Sequence, residues 1–156
     1  MKIFVKNQKL SITKKKWYAQ LNSFFDIVEE LTGFCVVIAG HPKTKGFNLD
    51  KYFNQREVIY DDTEALIKYS NFVITRNSSA YSYAIAHKKP LMFVLTKELL
   101  NDLPFMETAS ALWQALNIEP TRIDLNNKIY QSLKNLDFDS DVYKKFRDLY
   151  LSLIHI

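Results

Sequence analysis

The chain has 156 residues, 47% of them apolar and 24% charged, with a formal net charge of +4. That length is enough for one domain with a proper core, and 3 Gly and 4 Pro argue against a many-turned all-β fold. The mild positive charge suits an anionic small ligand or an acidic membrane surface and does not demand nucleic acid. A single cysteine, Cys35, excludes an intrachain disulfide framework. It lies in an apolar run and reads as a buried structural thiol. Neither a signal peptide nor an apolar stretch of bilayer-spanning length is visible. A cytoplasmic location is therefore the default expectation, with peripheral contact at the inner face of the membrane left open.

Taken in order, the chain begins with Ile3-Phe4-Val5 between lysines, an edge strand or a tail within residues 1–10. Ser11 reads as a helix cap. Trp17, Leu21, Phe24, Val28 and Leu31 then recur at helical spacing and form one apolar stripe. Lys14-Lys15-Lys16 at its start and Glu29-Glu30 at its end oppose the helix dipole. Packing must stabilise this helix, or the lysines serve an anionic partner. Gly33 is a good stop. Residues 34–39 are apolar throughout and predict a buried strand ending in Gly40-His41-Pro42-Lys43. A polar loop follows, anchored by Tyr52 and Phe53. Residues 57–60 predict a short strand, and Asp61-Asp62-Thr63 caps a helix over 64–69.

Residues 70–95 carry the densest pattern. Residues 72–75 are a short apolar run, long enough for a buried strand and too short for a helix. Asn77, Ser78 and Ser79 stand where the next helix starts, and such side chains cap orphan N–H groups. Pro90 stops that helix, and residues 91–95 are apolar on both faces, as in a covered parallel sheet. Thr96 caps a helical turn around Glu98-Leu99-Leu100. Residues 106–116 predict a helix with Met106, Ala109, Leu112 and Leu116 on one side. Residues 122–124 predict an edge strand and 126–135 another helix. Within the C-terminal stretch 136–156, a helix over 140–154 buries Val142, Phe146, Leu149, Tyr150 and Leu153. Strands and helices alternate, so the expectation is a single α/β domain over 1–156, its parallel sheet covered by helices on both faces.

Open α/β sheets bind ligands at the carboxyl ends of their strands, and helix starts there offer N–H groups to phosphate. Two strand ends carry suitable groups. His41 follows one strand, aimed by Pro42, and Asn77-Ser78-Ser79 follows another. Lys43, Lys45 and Arg56 are candidates to neutralise a phosphate, and Thr63 starts a helix near the same edge. His87, Lys88 and Lys89 suit the far end of their helix and read as structural, Tyr81 and Tyr83 as packing residues. Metal-ligand spacing, a redox cysteine pair, a Gly-rich phosphate loop and a paired acid and base are all missing from the pattern.

The stretch from Cys35 to Val94, with Gly40-His41-Pro42 and Asn77-Ser78-Ser79 as fixed points, resembles the donor-binding half of GT-B-fold glycosyltransferases. Its His-Pro and Ser motifs are similar to those of bacterial sialyltransferases and polysialyltransferases, and of teichoic-acid glycerophosphotransferases and other capsule enzymes. The resemblance implies a Rossmann-like domain, one half of a GT-B fold, serving surface polysaccharide biosynthesis. It implies that His41, Ser78 and Ser79 hold the donor phosphate, with His41 catalytic; Pro42, Lys43, Asn77, Thr63 and Arg56 are the further candidate ligands that the residue pattern itself offers beside them. The donor would be a CMP-, CDP- or UDP-linked sugar, with no further cofactor. Many such enzymes place an acidic residue where Tyr83 stands, which favours the sialyltransferase-like pattern. The acceptor-side half with its general base has no counterpart here, so the resemblance implies a fragment or a subunit completed by a second domain. Two other readings of the residues are a binding module that docks a partner or anionic membrane through Lys14-Lys15-Lys16, and a sugar-nucleotide epimerase half.

Overall fold

The computed structural model describes residues 13–151; the Ile3-Phe4-Val5, Ser11 and Leu153 expectations lie outside them. Helix α1 (Lys14–Thr32) is capped by Thr13, whose hydroxyl accepts from the Lys16 N–H at 3.3 Å. Its buried face is Trp17, Tyr18, Leu21, Phe24, Phe25 and Val28. Leu31, expected on that face, is 44% exposed, because the stripe has rotated off the core by the last turn. Gly33 ends the helix at φ 72°, donating to the Glu29 carbonyl at 2.9 Å. The unfavourable end charges are absorbed locally. Lys14 lies over the Tyr52 ring, Lys16 pairs with Glu98, and Glu29 binds Arg56.

Residues 34–37 are not the buried strand their composition predicts. The Val36 N–H donates to the Glu29 carboxylate at 2.9 Å rather than to a neighbouring strand. Phe34, Cys35 and Val37 are exposed, so Cys35 is not a buried thiol. Sheet pairing starts only at Ile38, whose N–H reaches the Glu57 carbonyl at 2.9 Å. Strand β1 (Ile38–Gly40) then runs parallel to β2 (Val58–Tyr60). The loop between them holds two turns of 3-10 helix, Pro42–Thr44 and Leu49–Phe53.

Helix α2 (Thr63–Tyr69) returns the chain by about 10 Å, the length of a three-residue strand, so β3 (Val73–Thr75) starts again at the amino edge. After α3 (Tyr81–Ala86), β4 (Leu91–Leu95) pairs parallel to β3 and, on its other side, to β5 (Thr121–Arg122). Every residue of β4 is buried. Among the described residues the parallel strands thus form two sheets, β1-β2 and β3-β4-β5. The helices α4 (Leu103–Leu116), α5 (Asn126–Lys134) and α6 (Ser140–Phe146) complete the α/β, Rossmann-like architecture. One apolar cluster runs from Trp17 through β4 to Phe146.

The C-terminal helix is shorter than its pattern. It changes pitch after Phe146 into a π-helical turn, Arg147–Leu151. That change turns Leu149 and Tyr150 outward, while Tyr143 and Phe146 stay buried. The Tyr143 hydroxyl donates to the Lys89 carbonyl at 2.8 Å, which ties this helix to the turn before β4.

Gly40 ends β1 beside Tyr60, and a Cβ added there would stand 2.4 Å from that ring. The ring cannot yield without losing its hydroxyl contact to the Thr44 carbonyl at 3.2 Å. Gly40→Ala is expected to cost about 1–3 kcal/mol in chemical denaturation. The cost should fall in a Tyr60→Leu background, where the ring is gone.

Candidate functional site

β1 and β3 flank a cleft of about 610 Å³. Val36, Val37 and Ala39 line it on one side, Val73, Ile74 and Thr75 on the other. Phe25 and Val28 of α1, and Leu66 and Ile67 of α2, also line it. The two polar turns singled out by the sequence follow these two strands directly.

After β1, His41 caps the Pro42–Thr44 turn. Its Nδ1 accepts from the Lys43 N–H at 3.1 Å, and its carbonyl accepts from the Thr44 hydroxyl at 2.7 Å. With the Nδ1 lone pair so engaged, the neutral imidazole carries its proton on Nε2 and is a donor there. Pro42 and Lys43 are exposed on this turn. Lys45 reaches Asp61.

After β3, the serine pair divides its work. Ser78 is 1% exposed. Its N–H donates to the Thr75 hydroxyl at 3.2 Å, and its own hydroxyl accepts from the Ala80 N–H at 3.2 Å. Ser78 therefore shapes the turn, and Ser79 carries the exposed hydroxyl. The Ser79 carbonyl accepts from the Ser82 hydroxyl at 2.8 Å. Asn77 is half-buried beside them, and Thr63, at the start of α2, lines the cleft.

Arg56 stands elsewhere. Its guanidinium donates from Nη2 to Asp26 at 2.6 Å and to Glu29 at 2.7 Å, and from Nε to Glu29 at 3.1 Å. It also reaches Asn22 Oδ1 at 3.1 Å and lies over the Phe25 ring. The Arg56 hydrogen bonds hold Glu29 below the usual carboxylate range against the opposing effect of burial. This arginine clamps the β1–β2 loop to α1 rather than lying among the expected anion ligands.

A cation that the sequence reading passed over does sit at the edge. Arg76 directly follows β3, between the rings of Trp17 at 5.5 Å and Phe105 at 5.6 Å. Burial lowers its pKa, and nearby Asp102 opposes that shift. The signal was an arginine placed between a buried strand and a serine-rich helix start. Of the lysine triplet proposed for docking, Lys14 and Lys16 are engaged within the fold. His87 pairs with Glu64 at 3.0 Å, and with Lys88 and Lys89 it stands at the far end of α3.

The fold and its edge define a parallel α/β protein with polar turns at two strand ends. No protein-family model matches the chain, and neither a curated protein nor a solved structure matches it. Among the described residues, no helix is long and apolar enough to cross a membrane.

Proposed function

We propose that the chain is the donor-binding domain of a nucleotide-sugar-dependent glycosyltransferase of the capsule or surface-carbohydrate type. The observation that carries the reading is the pair of turns, Gly40-His41-Pro42 and Asn77-Ser78-Ser79, on the two strands that flank one cleft. Under this reading His41 Nε2–H and the Ser79 hydroxyl donate to the donor phosphate, and Ser78 holds the turn that presents Ser79. Charge builds on that phosphate as the sugar departs, so donors aimed at it favour the transition state. Arg76 adds a permanent cation to the same edge, and Lys43 stands beside His41. The attacking hydroxyl and the base that deprotonates it belong to a second domain or subunit.

Calorimetric titration of the folded chain with CMP, CDP and UDP tests this. Binding of one of them with Kd on the order of 1 mM or tighter is expected. Absence of heat with all three at several millimolar, the protein remaining folded, contradicts the reading.

A further inference from the structure

The loop between β1 and β2 holds an apolar ring out to solvent on a fixed turn. Lys45, at φ −55° and ψ 133°, and Gly46, at φ 87°, are the central residues of a type II turn. The Phe47 N–H closes it on the Thr44 carbonyl at 3.2 Å. The same carbonyl accepts from the Tyr60 hydroxyl at 3.2 Å, so the turn is pinned to β2. Phe47, at its end, is 67% exposed. Asn48, at φ 47°, then turns the chain into the Leu49–Phe53 3-10 helix. Phe53 of that helix is buried, while Lys51 and Tyr52 are exposed.

Cations surround this ring. Lys43 precedes the turn and Lys51 follows it, both exposed. Lys14, in the first turn of α1, has its ammonium 4.4 Å from the centre of the Tyr52 ring, which brings the helix start onto the same face. The ring positions that charge without neutralising it. Among the described residues, Lys14, Lys43 and Lys51 form no ion pair, and only Lys45 is held, by Asp61. The loop's own acids, Asp50 and Glu57, line a small hollow with Gln55 and Arg56, to which Phe47, Lys51 and Tyr52 do not contribute. What remains is a positive face with an aromatic ring at its apex.

We infer that this face docks on an anionic lipid bilayer, with Phe47 entering the boundary between headgroups and acyl chains and Lys14, Lys43 and Lys51 meeting lipid phosphates. Charge complementarity selects an acidic surface, where each lysine held close is worth about fivefold in affinity. The apolar ring selects a bilayer over a nucleic acid. Binding to single strands uses a row of rings on which successive bases stack. Here the Tyr52 ring is engaged by Tyr18 at 5.1 Å and by Lys14, which leaves Phe47 as the open ring of this face. Lysine stems lie along an apolar boundary while their ammonium groups reach the phosphates above it. The lysine triplet is thus divided: Lys14 belongs to this face, and Lys16 is held by Glu98. The inference does not depend on the proposed function.

Co-sedimentation of the full chain with vesicles tests it, using phosphatidylcholine alone and phosphatidylcholine mixed equally with phosphatidylglycerol. Binding to the mixed vesicles is expected, weakening as salt rises and absent with phosphatidylcholine alone. Combining Lys14→Ala with Lys51→Ala should weaken it about twenty-five-fold. Phe47→Ser should weaken it about fivefold at unchanged charge. Phe47→Trp supplies a second readout. Its emission should move to the blue on the mixed vesicles, against a background from Trp17 and Trp113 that is buried already. All three substituted side chains are exposed, so the variants should melt with the wild type. Absence of binding, equal binding to both kinds of vesicle, or equal binding by wild type and the double lysine variant overturns the proposal. So does full binding by Phe47→Ser with an unshifted Phe47→Trp spectrum, which leaves charge attraction alone. Tighter binding to DNA than to the mixed vesicles at equal phosphate concentration assigns the face to nucleic acid and also overturns it.

Discussion

Arg56→Met should destabilise the fold by about 2–4 kcal/mol in chemical denaturation. The guanidinium side chain is 8% exposed and meets two carboxylates, Asp26 and Glu29, from the same face of α1. Removing it leaves Glu29 partly desolvated with only the Val36 N–H as a partner among the contacts described. It also removes the donor to Asn22, whose own amide donates to the Tyr52 carbonyl at 2.8 Å. Arg56→Lys should recover little, since an ammonium cannot make the forked contact to Glu29. The effect carries a pH signature. Glu29 has its pKa lowered in the folded state, chiefly by the Arg56 hydrogen bonds. Its contribution is present above the unfolded carboxylate pKa of about 4.3 and is lost as pH falls through the lower folded value. The stability gap between wild type and Arg56→Met should therefore narrow below about pH 4. A gap that is constant from pH 7 to pH 3 would show that the arginine acts through packing alone.

His41→Ala should weaken nucleotide binding about tenfold or more, since a hydrogen bond to a charged group contributes about 1.5–3 kcal/mol. Ser79→Ala should cost about threefold to tenfold. Lys88→Ala, at the far end of α3, serves as the control and should leave the affinity unchanged. Ser78→Ala tests the division between the serines. Its hydroxyl is buried and holds the Ala80 N–H, so the loss should appear first in thermal stability, with binding following only as the turn loosens. Equal affinities for wild type and His41→Ala would remove the imidazole from the site.

Much of the fold was legible locally. Gly33 as a stop, residues 91–95 as a buried strand, and Asn77-Ser78-Ser79 as a turn into a helix follow from short-range rules and agree with α1, β4 and α3. What was illegible depended on distant partners. An apolar run such as residues 34–37 is compatible with a strand, but only a neighbour's backbone makes it one, and here the neighbour is the Glu29 side chain. Arg56 looked like an anion ligand because its partners lie about thirty residues earlier. A hint existed in Asn22, Asp26 and Glu29, spaced four and three apart along one face of an otherwise apolar helix. The serine pair shows the same limit at smaller scale. Composition places two hydroxyls at the helix start, and only the local backbone decides which one faces inward.

The most direct measurement is a two-dimensional amide NMR titration of the uniformly labelled chain with CDP. Concerted shifts of the amides at residues 40–44 and 77–81, saturating along one binding curve, are the expected result. Shifts confined to one of these turns, or absent from both while the spectrum stays folded, would mean that no common anion is gripped there.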